Sequence, residues 1–163
     1  MIVEEQFFPS GGFSFVILTN KKLIGVRDPI GIRPLVIGKI NKSYVLASET
    51  CDLDIIGAKF FRKVENGEIV VITETVLESI KPFPKIKKRP CIFEYIYFSR
   101  PDSIINKTSV YEYRKKLGYE LAKETHIEAD LIMPVPDSGV PAAIGYAEQT
   151  KSSLELGIIR NHY

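Results

Sequence analysis

Two kinds of hydrophobic pattern divide the chain. From Gly11 to about Ile80, short β-branched and aromatic runs alternate with Gly and Asn turns. Phe13 to Thr19 and Leu23 to Val26, joined by Asn20-Lys21, predict a hairpin. Leu35 to Gly38 and Tyr44 to Ala47, joined by Asn41-Lys42, predict a second. Between them Arg27 to Leu35 holds two prolines and a glycine and reads as a shaped loop. Ser48 can cap a short helix through Glu49, Leu53 and Ile56 to Gly57, with Glu49 and Asp52 where the helix dipole favours negative charge. Arg62 to Val64, the turn Glu65-Asn66-Gly67 and Glu68 to Thr73 predict one more strand pair. This half is therefore an antiparallel, mostly β unit with one small helix.

Lys81 to Pro90, rich in proline and basic residues, has the composition of a linker. Cys91 to Ser103, CIFEYIYFSRPDS, is an aromatic run of strand type closed by a turn signal, and it marks the change of architecture. Ser109 with Glu112 forms a capping box for a helix whose apolar stripe is Tyr113, Leu117, Leu121 and Ala122. That stripe suits packing on a sheet. Asp130 to Val135, DLIMPV, is a continuous apolar run of the kind buried in a parallel sheet. It runs through Pro136-Asp137-Ser138-Gly139 into a helix over Val140 to Gln149. Loop and helix N-H groups at such a junction can hold an anion, and Asp137 and Ser138 can add oxygen donors. The same junction can also do no more than cap the helix.

With 163 residues, 45% hydrophobic and 26% charged, the composition is that of a globular protein. A net charge of +2 with scattered basic residues shows no nucleic-acid stripe or membrane patch, and Lys85 to Arg89 reads as a solvated run. No apolar run approaches the roughly 20 residues of a membrane span, and the N-terminus lacks a signal-peptide pattern. The two cysteines, Cys51 and Cys91, form neither a disulfide framework nor a metal knuckle. A reducing, cytoplasmic location is the expectation.

Six segments carry a resemblance: SGGFSFVILTNKKLIGVRDPIGIRPLVIG, YVLASETCDLDIIGA, RKVENGEIVVIT, CIFEYIYFSRPDS, VPDSGVPAAIGYAE and ELGIIRNHY. In order and spacing they resemble the middle of amidophosphoribosyltransferase, the glutamine phosphoribosylpyrophosphate amidotransferase that opens purine synthesis. The resemblance implies an α+β and α/β fold. Residues 1–80 would end an N-terminal-nucleophile glutaminase sandwich of antiparallel β-sheet with a short helix. Residues 81–90 would be the linker, and 91–163 would supply the first βα units of a type I phosphoribosyltransferase domain. The implied substrates are glutamine and phosphoribosylpyrophosphate. Asp137, Ser138 and Gly139 then resemble the pyrophosphate loop, with Ser138 on a magnesium ion. Cys91 aligns with one of four cysteines that ligate an iron-sulfur cluster in some members; no cluster is expected here, because one thiolate cannot hold it.

Several family features have no counterpart. The glutaminase nucleophile is a cysteine at the mature N-terminus, whereas this chain begins Met1-Ile2-Val3. Cys51, behind the predicted Ser48 cap, has no partner base and reads as packing. The transferase needs two adjacent aspartates, and the sequence holds no such pair. The family's substrate lid would begin around Asn161-His162-Tyr163. The expectation is a central fragment, inactive by itself, with no catalytic residue of its own. The alternative is a non-catalytic phosphate- or pyrophosphate-binding module, or one piece of a split enzyme that self-associates or docks on a complementing chain.

Overall fold

The computed structural model describes residues 11–161; Met1 to Ser10, and His162 and Tyr163 at the expected start of the lid, lie outside them. The chain divides into two compact units, one up to Ile92 and one from Phe93.

In the first unit β1 (Ser14–Leu18) and β2 (Leu23–Arg27) form the expected antiparallel hairpin, as do β3 (Val36–Ile40) and β4 (Ser43–Ala47). Asn41 takes the left-handed conformation at the second turn, φ 53°, which asparagine tolerates. The helix α1 (Thr50–Ile55) begins one residue later than expected. Its N-cap is Glu49, whose N-H donates to Asp52 Oδ2 at 3.1 Å, so Ser48 lies outside the helix. A carboxylate three residues on satisfies the same orphan donor that a capping box would.

The third expected strand pair does not form. The strand β5 (Lys59–Lys63) pairs with β3, whereas β6 (Ile69–Ile72) pairs with β2 and with β7 (Leu77–Ile80), a strand the pattern did not announce. The result is a sheet ordered β1-β2-β6-β7 and a second ordered β4-β3-β5. Asn66-Gly67 is still a turn, with Gly67 at φ 68°. It is tied, however, to the loop after β2: Gly67 N-H donates to the Asp28 carbonyl at 3.0 Å and Asn66 Nδ2 to that of Ile30 at 3.0 Å. Those bonds, with Val64 fully buried, carry the chain from one sheet to the other. Leu35, Ile37, Val64 and Val70 form a core to which both sheets contribute, flanked by Tyr44, Leu46 and Leu77. A second cluster, Val36, Leu53 and Ala58, fixes α1 against the other face of β3.

The segment Lys81 to Pro90 packs on this unit. Phe83 lies against the cluster of Phe13, Val26, Ile69 and Val71, and Arg89 N-H donates to Ile30 O at 3.0 Å.

In the second unit the aromatic run is not a strand. Glu94–Phe98 forms one π-helical turn. Its polar side chains are the reason: Glu94 is buried and accepts from Ser99 Oγ at 3.1 Å, and buried Arg114 donates to the Tyr95 and Ser99 carbonyls at 2.8 and 2.7 Å. Those carbonyls serve a guanidinium instead of a strand partner. A small antiparallel pair, β8 (Ile104–Ile105) and β9 (Thr108–Ser109), leads into α2 (Val110–Glu124). Ser109 is the N-cap, as expected, accepting from Glu112 N-H at 3.3 Å.

The buried face of α2 differs from the expected stripe. Val110, Arg114, Gly118 and Ala122 are buried, whereas Leu117 and Leu121 are exposed and Tyr113 is half-buried. The helix packs chiefly on α3 (Val140–Thr150) and not on a sheet. A Cβ on Gly118 would stand 1.8 Å from the Ala142 carbonyl oxygen, and one on Gly145 1.9 Å from that of Lys115. Such an approach requires small residues at the crossing, which a reading based on large apolar residues overlooks. The apolar run does give a strand, β10 (Leu131–Ile132), parallel to β11 (Ser153–Leu154) as its composition suggested, but the strand is two residues long and Leu131, Met133 and Val135 are exposed, so the expected burial is not met among the described residues.

Candidate functional site

The junction between β10 and α3 is built largely from its own backbone. Gly139 N-H donates to Val135 O at 3.1 Å and Val140 N-H to Asp137 O at 3.3 Å, drawing residues 135–139 into a tight turn in which the Pro136–Asp137 peptide is cis. Gly139 is the N-cap of α3, and a Cβ there would lie 2.6 Å from Val135 O. Pro141, in the first helical turn, lacks only an N-H that the helix would not use. The positive end of an 11-residue helix therefore opens on the loop.

Asp137 is exposed and its Oδ2 accepts from Arg160 at 3.3 Å. Both side chains are 65% exposed, so the pair holds Arg160 near the loop but stabilises little. Ser138 is half-buried, and its hydroxyl makes no hydrogen bond among the described residues. Asp137, Ser138 and Gly139 are thus adjacent on one loop at a helix N-terminus, as the sequence placed them. With the Gly139 and Val140 N-H groups bonded to loop carbonyls and Pro141 having none, the loop can offer an anion the N-H groups of Asp137, Ser138 and Ala142, one hydroxyl and, with Arg160, one guanidinium.

Among the described residues no group of three His, Cys, Asp or Glu is placed to hold a metal. One hydroxyl and one carboxylate suit magnesium that arrives on a phosphate, since that ion keeps waters and substrate oxygens in most of its shell. The cysteines fit a cluster poorly. Cys91 is half-buried in the first unit, while Cys51 is fully buried within α1; two thiols fall short of the four that a cluster takes.

The most conspicuous polar motif, Arg27 to Leu35, is occupied internally. Asp28 is fully buried; Oδ1 accepts from Gly31 N-H at 2.5 Å and Oδ2 from Ile32 N-H at 3.1 Å. Arg27 donates to the carbonyls of Arg33, Val64 and Gly31. This loop is architecture. Sequence reasoning missed the buried carboxylate of Glu68, which receives Arg62 through two bonds of 2.8 and 2.9 Å, Ser79 Oγ at 2.6 Å and Glu65 N-H at 2.6 Å. Burial pushes that carboxyl up, but the bonds from Arg62, Ser79 and the Glu65 backbone outweigh it and hold it below the usual range. A glutamate directly before the buried run IVVI was the available signal.

Together these features define a mixed α/β protein with antiparallel sheets in one unit and a strand-loop-helix junction in the other. The chain is homologous to a segment of amidophosphoribosyltransferase. It is 49% identical over 158 residues to that enzyme from Rhizobium etli and 53% identical over 157 residues to that from Synechocystis sp.. Each match covers 94% of this chain and 32% of the relative, so the chain spans about a third of the length of the curated relatives it matches. The solved structure of the B. subtilis glutamine phosphoribosylpyrophosphate amidotransferase complexed with ADP and GMP matches with a TM-score of 0.89 at 47% identity, over 94% of this chain and 34% of that one. No family model matches. Among the described residues no helix is long and apolar enough to cross a membrane.

Proposed function

We propose that this chain forms the joint of an amidophosphoribosyltransferase, the enzyme that makes phosphoribosylamine from glutamine and phosphoribosylpyrophosphate in the first step of purine synthesis. Residues 1–80 close a glutaminase domain of stacked antiparallel sheets, 81–90 join it, and 91–163 open a type I phosphoribosyltransferase domain. The observation that carries this reading is the match of nearly the whole chain, in sequence and in fold, to one contiguous third of such enzymes.

The work assigned to this chain is binding. The loop from Val135 to Gly139 takes the pyrophosphate, with the N-H groups of Asp137, Ser138 and Ala142, which make no bond within the described residues, available to its oxygens. Ser138 contributes its unengaged hydroxyl to the magnesium that accompanies the pyrophosphate, and Asp137 orients Arg160 beside it. Magnesium, when bound, neutralises charge on the departing pyrophosphate. The absence of a side chain at Gly139 leaves room for the Val135 carbonyl and so keeps the loop in its tight turn. Residues 1–163 contain no Asp-Asp pair, and the expectation is that the isolated polypeptide turns over neither substrate.

Two assays on the purified chain test this. Magnesium-pyrophosphate should bind by calorimetry and bind more weakly after Ser138→Ala and after Gly139→Val; binding indifferent to both changes removes the loop as the site. Ammonia-dependent, magnesium-dependent consumption of phosphoribosylpyrophosphate by the chain alone would refute the claim of inactivity.

A further inference from the structure

A second cluster of charge and rings lies at one end of the three-stranded sheet of the first unit. The register of β3 with β5 sets Lys39 directly opposite Lys59, and that of β3 with β4 sets Lys39 opposite Tyr44. Like charges directly opposed across strands are destabilising. Neither ammonium group has an acidic partner among the described residues.

The backbone beside the pair is irregular. Pairing between β3 and β5 shifts at Ile37/Gly38, so that Phe60 faces Gly38, Arg62 faces Ile37, and Phe61 stands between them without a partner. Bulges of this kind re-aim side chains. Here the Phe61 ring meets that of Tyr44 edge-on, with centroids 5.7 Å apart at 61°. Lys39 Nζ lies 4.6 Å from the Phe61 centroid and 4.7 Å from that of Tyr44, within cation–π reach of both rings.

A cavity of about 440 Å³ opens there, lined by Lys39, Asn41, Gly57, Lys59, Phe60 and Phe61. That volume lies within the roughly 300–1,000 Å³ of small-molecule sites. A Cβ on Gly57 would meet nothing within 4 Å, so the space beside it is open. Phe60 and Phe61 remain 55% and 45% exposed, leaving ring surface for a ligand.

We propose that this cavity binds a small aromatic anion of the aromatic phosphomonoester class. Its anionic group sits between the Lys39 and Lys59 ammonium groups and its ring lies against Phe60 and Phe61. An anion there turns a repulsive cross-strand pair into a chelating one. A simple inorganic anion would leave the rings in water, and a neutral aromatic would leave both charges unpaired. The site stands on the first unit alone and is independent of the reading of residues 135–139.

Phenyl phosphate is the probe, with inorganic phosphate and phenol as its two halves, titrated into the full chain and followed by NMR. Phenyl phosphate should bind saturably and move signals of Lys39, Lys59, Phe60 and Phe61. Affinity should fall about tenfold or more in Lys39→Gln and in Lys59→Gln, and by a similar factor for either half-probe. Phenyl phosphate should also raise the melting temperature of the unsubstituted chain but not of the double variant. Both lysines are exposed, so the variants fold, as unchanged circular dichroism would verify. Binding unaffected by both substitutions, inorganic phosphate binding as tightly as phenyl phosphate, or no saturable binding overturns the proposal.

Discussion

Alanine at Gly118 should destabilise the second unit even though alanine favours helix. In an open helix the change gains about 1 kcal/mol. Here the new Cβ would stand 1.8 Å from the Ala142 carbonyl oxygen, against ordinary contact from 3.4 Å, so α2 and α3 must part by about 1.6 Å. Overpacking usually costs about 1–3 kcal/mol. The obstacle is backbone, which no rotamer change can clear, so the upper end applies and the net loss is about 2 kcal/mol. Hydrogen exchange read on peptides of α2 is the assay. A loss of that size speeds exchange by opening about thirtyfold. Gly57→Ala is the control: its surroundings are open but its φ of 69° is left-handed, so about 1 kcal/mol is lost from the first unit and α2 exchange is unchanged. Slower exchange in α2 after Gly118→Ala, as helix propensity alone demands, would refute the close crossing.

Glu68→Gln should destabilise the first unit by roughly 1–3 kcal/mol, since Arg62 loses its charged acceptor, and urea denaturation measures it. Its pH dependence has a fixed sign. The folded carboxyl titrates below its unfolded value, so its contribution is complete above about pH 4.3 and is lost as pH falls through the lower folded value. The Gln variant should show a flatter acid limb; an unchanged limb would contradict the network. Asp28→Ala leaves the part-buried Ile32 N-H without its acceptor and Gly31 N-H with only the Asp28 carbonyl, a loss of roughly 1–3 kcal/mol in all; a thermal melt within a degree of the parent would contradict that accounting. Arg114→Met should release the π-helical turn, seen as faster exchange over residues 94–99 with β3 unaffected.

What could be read from sequence was local. Hairpins whose turns carry Asn20-Lys21 and Asn41-Lys42 are decided by adjacent residues, and the pattern found both. The Ser109 cap and the parallel character of DLIMPV were legible for the same reason. Elements settled by distant partners were not. The destination of the strands around Asn66-Gly67 depends on the Asp28 and Ile30 carbonyls, and nothing near the turn announces them. EYIYF has strand composition, yet Arg114, far along the chain, takes two of the carbonyls that a strand would offer a neighbour. The face of α2 was misplaced because glycine carries no hydrophobic signal although it permits the closest packing. At the candidate loop, Asp137, Ser138 and Gly139 were readable as a contiguous set, whereas the approach of Arg160 was not.

The central claim is that this chain is a working third of an amidophosphoribosyltransferase. The most direct measurement transplants it. The matching third of the B. subtilis enzyme would be replaced by the present sequence, which is 47% identical there. Ammonia-dependent consumption of phosphoribosylpyrophosphate would then be followed with and without Ser138→Ala. A chimera that turns over substrate, and loses at least most of that rate when Ser138 is replaced, is the predicted result. A chimera that folds and assembles but consumes no phosphoribosylpyrophosphate, or one whose rate ignores Ser138→Ala, would contradict the account.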